Sequence, residues 1–213
     1  MEDRITAGLY LEMSNCAPDA YKSTRVPEII SRQGALRATW WENAHPDRGD
    51  LPRTLEECSL LALYEVGDDF TAPEPVDGGR GHHFRRYPRP GQGSLTGRPT
   101  VGLLLVLISP RQPDGAQALR DWADFVHIRH IAEASVPGYT MITPYENATG
   151  VGPRFLHLYE MDTADPEASF TSMTPLVLDR LGGGPGTAVF DEWAGHPQLR
   201  IDYVNTFRRL GER

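Results

Sequence analysis

The stretch ATWWENA (residues 38–44) is echoed by ITPYENA (residues 142–148), and each is followed a short distance on by a second echo. That second pair is LLALYEV (residues 60–66) and FLHLYEM (residues 155–161). Short apolar runs of this length, rich in aromatic and branched residues, are typical of buried strands. The paired segments share residues and occur in the same order along the chain. The sequence therefore predicts one structural unit that occurs twice in 213 residues.

The segments around the echoes predict the same order of elements in both halves. In the first half we expect strands at 5–13, 35–44, 59–66 and 82–87, with a helix from about residue 18 to residue 32. In the second half we expect strands at 101–109, 139–148, 154–161 and 199–210, with helices at 115–134 and from Thr163 onward. The first half has no counterpart of that last helix, because prolines and glycines fill residues 71–81.

Strand–helix–strand–strand–helix–strand is the ferredoxin-like split βαβ unit. A sheet of this kind covers one face with its helices, and the other face still needs a partner. A second copy in the same chain supplies that partner. The predicted fold is therefore α+β, with two tandem ferredoxin-like βαββαβ units whose antiparallel sheets pack face to face, over residues 1–95 and 96–213.

This pattern, together with the helix segment HIRHIAEASVPGY (residues 127–139) that runs into a strand, resembles the dimeric α+β barrel superfamily and its EthD-like branch. The resemblance implies a pocket between sheet and helices in at least one half. Members of the superfamily include cofactor-free monooxygenases, lactone isomerases, polyketide cyclases and haem enzymes. That diversity means that the resemblance predicts the fold without choosing one reaction.

Composition excludes several classes of function. The net charge of −8 disfavours general nucleic-acid binding. Cys16 and Cys58 lack the spacing of a zinc site or a disulfide framework, and the longest apolar run, residues 101–108, is too short to span a membrane. We expect a cytoplasmic protein with a small-molecule substrate, no metal, no nucleic-acid or membrane partner, and a possible homodimer.

The second-half helix carries the strongest candidate for catalysis. On a regular wheel of 100° per residue, Leu119, Trp122 and Val126 share one side, His130 lies near its centre and His127 lies at its edge. His130 is thus predicted to face the sheet, where an imidazole can serve as general base or acid. The alternative is a core histidine that bonds to a carbonyl or hydroxyl group.

Other residues complete the predicted site. Tyr145 is the candidate to hold a developing oxyanion, so that His130, Tyr145 and His127 form the predicted catalytic set. Arg25, which aligns with His130 in the first half, is a candidate for an anionic substrate group. The full set of predicted substrate-binding residues is Trp122, Val126, Met141, His157, Tyr159, Arg25 and Trp41. For the aromatic residues, the alternative role is to fill the interface between the two sheets.

These residues favour a cofactor-independent enzyme that acts on a small, apolar, aromatic or polyketide-like molecule. Proton transfer by His130 would suit isomerase, cyclase, lyase or monooxygenase chemistry, and His130→Ala should then abolish turnover. A non-catalytic binding or accessory protein is the first alternative. A haem protein with His130, His127 or His157 on the iron is the second.

Overall fold

The structure is a computed structural model that describes residues 6–51, 53–94 and 96–213. The predicted strand start at residue 5 and the predicted domain boundary at residue 95 lie outside these residues. The described strands are β1 (Gly8–Ser14), β2 (Ala35–Asn43), β3 (Leu60–Val66), β4 (Arg80–Arg86), β5 (Gln92–Gly93), β6 (Gly102–Pro110), β7 (Tyr139–Asn147), β8 (Phe155–Met161) and β9 (Leu199–Glu212).

Eight of these strands form one closed antiparallel barrel. The order around it is β4-β1-β3-β2-β9-β6-β8-β7, and pairing of β7 with β4 closes the ring. The predicted picture of two sheets packed face to face therefore needs correction. The sheets also join edge to edge, through β2–β9 and β4–β7, because strands left at an open edge would keep unpaired backbone groups.

The central strands are buried on both faces, which explains their nearly continuous apolar sequences. All seven residues of β1, β3 and β8 are buried. Inward side chains from both halves meet in a single core inside the barrel, and outward side chains pack under helices. The inner core includes Leu9, Leu11, Met13, Trp41, Leu61, Leu63, Phe84, Leu103, Leu105, Leu107, Tyr145, Leu156, Leu158, Tyr203 and Phe207.

Helices cover the outside of the barrel. The first half contributes α1 (Pro18–Ile30), and between β3 and β4 the described residues contain no helix, as the Pro- and Gly-rich sequence predicts. The second half contributes α2 (Ala116–Trp122), α3 (Ile128–Glu133), α4 (Pro166–Leu181) and α5 (Ala188–Ala194). None of the helices in the described part of the chain has the length and apolar character needed to cross a membrane.

The long helix predicted for residues 115–134 is interrupted. A π-helical turn, Ala123–His127, separates α2 from α3. Such a turn holds one residue more than an α-turn, so every side chain after it is rotated by about 100° relative to a regular helix. This rotation decides which side chains of the segment face the barrel.

Candidate functional site

A cavity of about 280 Å³ lies between the outer face of the second-half sheet and the helices that cover it. We call it the helix–sheet cavity. Its walls are largely apolar and aromatic, which is typical of small-molecule sites. They are formed by Leu51, Leu104, Val106, Ile108, Trp122, Ala123, His127, His157, Tyr159, Phe170, Met173, Thr174, Phe190, Trp193, Ala194, Leu199, Ile201 and Val204.

His157 is the most unusual side chain in these walls. It lies on β8 with a side-chain exposure of 3%, and its Nε2 has no hydrogen-bond partner among the described residues. Burial, with the nearby His127, lowers the pKa of His157 to about 3. The imidazole is therefore neutral at physiological pH. A neutral, buried imidazole in a site wall can accept a hydrogen bond or a proton from a ligand.

Asp124, in the π-helical turn, is the nearest charged group to His157. Its Oδ1 lies 3.9 Å from His157 Nε2. The Tyr87 hydroxyl donates to the carboxylate at 3.1 and 3.2 Å, and Arg89 donates to Oδ2 at 3.0 Å. Burial raises the pKa of Asp124, whereas Tyr87 and Arg89 oppose that change. Sequence analysis missed this residue, because a regular wheel turns it away from the sheet.

His127 forms part of an aromatic stack along one wall. Its ring lies between those of Trp122 and Trp193, with centroid distances of 5.1 and 5.3 Å. His127 Nδ1 lies 2.9 Å from the Trp193 carbonyl oxygen, so Nδ1 carries the hydrogen and donates it. Burial lowers the pKa of His127. This neutral ring joins α5 to the π-helical turn and fixes the wall.

Tyr159 lies two residues beyond His157 on the same outward face of β8, as alternation predicts. Its ring packs edge-on against Tyr139 at 5.7 Å. Burial and the charge of Asp124 raise the pKa of Tyr159 above its usual value. The hydroxyl therefore stays protonated and can donate a hydrogen bond to a ligand oxygen.

The loop between β2 and β3 reaches across from the first half to complete the cavity. It contributes Leu51 to the wall. The buried Arg48 anchors the loop: its guanidinium lies 4.6 Å from the centroid of the Phe170 ring, and its Nε donates to Asn205 Oδ1 at 3.0 Å. The cavity of the second half therefore depends on the first half for its shape.

The structure corrects the predicted placement of His130. Its side chain is 30% exposed on α3, and its Nδ1 lies 3.9 Å from Glu133 rather than in the cavity. The π-helical turn is the reason, because it rotates α3 and brings Ile128 and Ile131 onto the sheet instead. Val126, within the turn, packs partly buried beside Trp122 and does not line the cavity.

Three other predicted site residues also lie away from the cavity. Tyr145 and Trp41 are fully buried inside the barrel, on the opposite side of the sheet from His157. Met141 packs against the linker at Gly91, where an added Cβ would lie 2.8 Å from its Sδ. Simple alternation would place Tyr139 and Met141 on one face of β7, but a register shift between them separates the two residues. His130 and Tyr145 are not brought together.

Arg25, on α1 of the first half, is held by other residues of the chain and is not a free cation. It is buried under α1 and forms an ion pair with Glu12 at 2.9 Å. The Tyr21 hydroxyl donates to the same carboxylate at 2.5 Å and lies 2.9 Å from the Tyr64 hydroxyl. Because these groups bond to one another, the positive charge of Arg25 is already compensated within the chain. It is therefore not available to bind an anionic substrate.

These residues suit neither a metal ion nor haem. Within the described residues, no group of three or more His, Cys, Asp or Glu side chains is arranged to hold a metal ion. Haem does not fit the helix–sheet cavity: a volume of about 280 Å³ is at the small end of small-molecule sites, and no Arg or Lys lines the walls to meet its propionates. His157 Nε2 faces a carboxylate, and His127 is enclosed by two indoles.

Comparison with known proteins shows the fold. No model of a known family matches the chain, and no curated protein matches it significantly. An anthrone oxidase-like protein is similar at a TM-score of 0.55 and 13% identity, over 100% of this chain and 95% of that one. A ferredoxin-fold protein from Listeria monocytogenes, related to antibiotic biosynthesis monooxygenases, is similar at 0.50 and 10%, over 97% and 96%.

A chlorite dismutase variant from Candidatus Nitrospira defluvii, in complex with cyanide, is similar at a TM-score of 0.52 and 7% identity, over 98% of this chain and 92% of that one. At such identities the likeness concerns the fold alone. The chain has a mixed α+β fold, with an antiparallel sheet closed into a barrel, and these solved structures share that fold.

Proposed function

We propose that this protein is an enzyme that binds a small aromatic or polyketide-like molecule in the helix–sheet cavity and removes a proton from it with His157. The observation that carries the proposal is a buried, neutral imidazole in an otherwise largely apolar wall. The fold neighbour named as anthrone oxidase-like supports the choice of substrate class.

The proposed step uses only groups of this chain. A C–H or O–H bond of the substrate breaks, its electron pair stays on the substrate as an enolate or phenolate, and the proton moves to the His157 imidazole. The protonated Tyr159 hydroxyl donates to the developing oxyanion. Isomerisation, cyclisation, elimination or reaction with dioxygen can each follow from such an anion.

Anthrone provides the test, because its methylene hydrogens are acidic and exchange with solvent can be followed by mass spectrometry in deuterium oxide under nitrogen. The wild-type protein should accelerate exchange, and His157→Gln should lower that acceleration by about 10²–10⁴-fold. His130→Ala is the matched control and should retain it. Exchange that survives in His157→Gln or disappears in His130→Ala would contradict the proposal.

Non-catalytic binding is the second candidate, and the low pKa of His157 favours it. A pKa of about 3 makes a weak base, whereas a neutral imidazole accepts a hydrogen bond well. In this case anthrone or a related molecule would quench the fluorescence of Trp122 and Trp193 on binding. No exchange above the solvent rate would accompany that binding.

We also propose that the barrel consists of two tandem ferredoxin-like units, over residues 1–95 and 96–213, of the EthD-like branch. Two observations support the units: the strand orders β4-β1-β3-β2 and β9-β6-β8-β7 correspond, and Gly8 pairs with Val66 as Gly102 pairs with Met161. Since both seams of the barrel close within one chain, the proposed homodimer would form through another surface.

A further inference from the structure

We propose that Asp124 is a positioning residue for His157. It would hold the imidazole in the tautomer that carries hydrogen on Nε2, which leaves Nδ1 to accept the substrate proton. This inference rests on the proposed function and deepens it by naming the group that prepares the base.

The distance between the two residues supports an electrostatic interaction. His157 Nε2 lies 3.9 Å from Asp124 Oδ1, which is too long for a hydrogen bond and close enough for an electrostatic interaction. Both side chains are nearly excluded from solvent, at 3% and 5% exposure. In such surroundings a carboxylate strongly favours an N–H dipole that points toward it over a lone pair.

The carboxylate itself is held in place by donors. Tyr87 donates to both of its oxygens and Arg89 donates to Oδ2. The Gln92 side chain also donates to the backbone carbonyl of Asp124 at 2.5 Å. Arg89 can only donate, and its positive charge favours the carboxylate form of Asp124.

The carboxylate lies at the start of the π-helical turn, as its second residue. On a regular helix Asp124 would lie about 140° from Leu119, which is fully buried against the barrel. Its side chain is nevertheless buried, at 4% exposure, and Tyr87 and Arg89 of the linker contact it. Turns of this kind are frequent at functional sites.

The other titratable groups around His157 do not compete with Asp124. His127 is neutral because burial lowers its pKa, and Tyr159 is neutral because burial raises its pKa. Arg89 and Arg120 act on Asp124, where they stabilise the carboxylate. Once His157 takes up a proton, the imidazolium therefore has a negative charge beside it.

The tautomer can be measured without any substrate, by two-bond ¹H–¹⁵N correlation spectra of the ¹⁵N-labelled full chain at pH 7. We expect the Nε2–H form of His157 to exceed the Nδ1–H form by about tenfold or more. His127 provides an internal reference for the Nδ1–H form, because its Nδ1 donates to the Trp193 carbonyl.

Asp124→Asn should reverse the ratio, because the amide can donate to Nε2. Asp121→Asn is the matched control: Asp121 lies on the same helical segment and also pairs with Arg89, yet it should leave the tautomer unchanged. Tyr87→Phe keeps the carboxylate and should preserve the Nε2–H form. It serves as the second variant if Asp124→Asn does not fold.

A wild-type His157 in the Nδ1–H form would overturn the inference, and so would an unchanged ratio in folded Asp124→Asn. A merely structural Asp124 gives that second result. The spectra measure the tautomer and not turnover. If anthrone exchange fails, the proposed function is contradicted, but the tautomer result can still be interpreted by itself.

Discussion

At the scale of single residues, one pair of equivalent positions distinguishes the two halves. In the first half Glu12 on β1 pairs with Ala62 on β3, and in the second half Val106 on β6 pairs with His157 on β8. Glu12 is neutralised within the chain by Arg25. His157 Nε2 forms no hydrogen bond with the described residues, and a cavity lies beside this side chain. The polar residue is therefore structural in one half and available to a ligand in the other.

The buried neutral state of His157 predicts how stability changes with pH. The pKa of His157 is 6.5 in the unfolded chain and about 3 in the folded chain. As the pH falls below 6.5, His157 is therefore protonated in the unfolded chain but stays neutral in the folded chain. Between pH 7 and pH 5 this difference costs about 2 kcal/mol of stability. Urea unfolding should show that His157→Gln loses about 2 kcal/mol less than wild type over this range.

His130→Gln is the control for that experiment, since it makes the same substitution at a partly exposed position. It should follow the wild-type curve. An equal loss of stability in wild type and His157→Gln would show that His157 is not buried in its neutral form.

At the scale of elements, the π-helical turn decides which residues of the α2–α3 segment face the barrel. Asp124 and Ile131 face it, whereas His130 does not. Two tryptophans and His127 then connect the turn to α5, through contacts that include Trp193 Nε1 donating to the His127 carbonyl at 3.2 Å. The turn therefore sets both the charge next to His157 and the position of the aromatic wall.

Deletion of Phe125 tests this role. Phe125 is 57% exposed, and its removal would convert the π-turn into an ordinary α-turn. Because the turn absorbs this one residue, its deletion should leave Ile128 and Ile131 on the core face, and we expect the deletion to cost about as little in urea unfolding as Phe125→Ala, within about 1 kcal/mol. Phe125→Ala is the control, because it removes the same exposed side chain and keeps the residue count. A loss of about 3 kcal/mol or more for the deletion alone would show that Ile128 and Ile131 had turned away from the core.

At the scale of the whole molecule, the barrel has two unequal seams. Five residue pairs join β2 to β9, whereas three join β4 to β7. The β2–β9 seam also lies close to the network of Arg48 and Asn205 that fixes the loop over the cavity. The β4–β7 seam is followed directly by the linker that holds Asp124 through Tyr87 and Arg89.

The shorter seam should open first. In native-state hydrogen exchange, amides paired between β4 and β7 should exchange at least about tenfold faster than those paired between β2 and β9. The amide of Ala148, which donates to the His83 carbonyl at 2.8 Å, is a suitable reporter for the shorter seam. Equal or slower exchange there would show that pair number does not set the order of opening.

The sequence by itself determined the order of the eight barrel strands and the α+β class, and it predicted that the described residues between the third and fourth strands form no helix. Those features depend on local patterns: apolar runs, helix periodicity and the Pro- and Gly-rich segment at 71–81. The echoes at 60–66 and 155–161 also placed His157 and Tyr159 on one face, since alternation along a single strand needs no tertiary information.

Only the tertiary structure decided which side chains surround the cavity. The sequence favoured His130 and Tyr145 as catalytic residues. A single extra residue in the π-helical turn rotates His130 away from the cavity, and Tyr145 is enclosed inside the barrel. Asp124 and Leu51 reach the neighbourhood of His157 from distant segments. Helix phase and sheet closure depend on the packing of the whole chain, and no local pattern contains them.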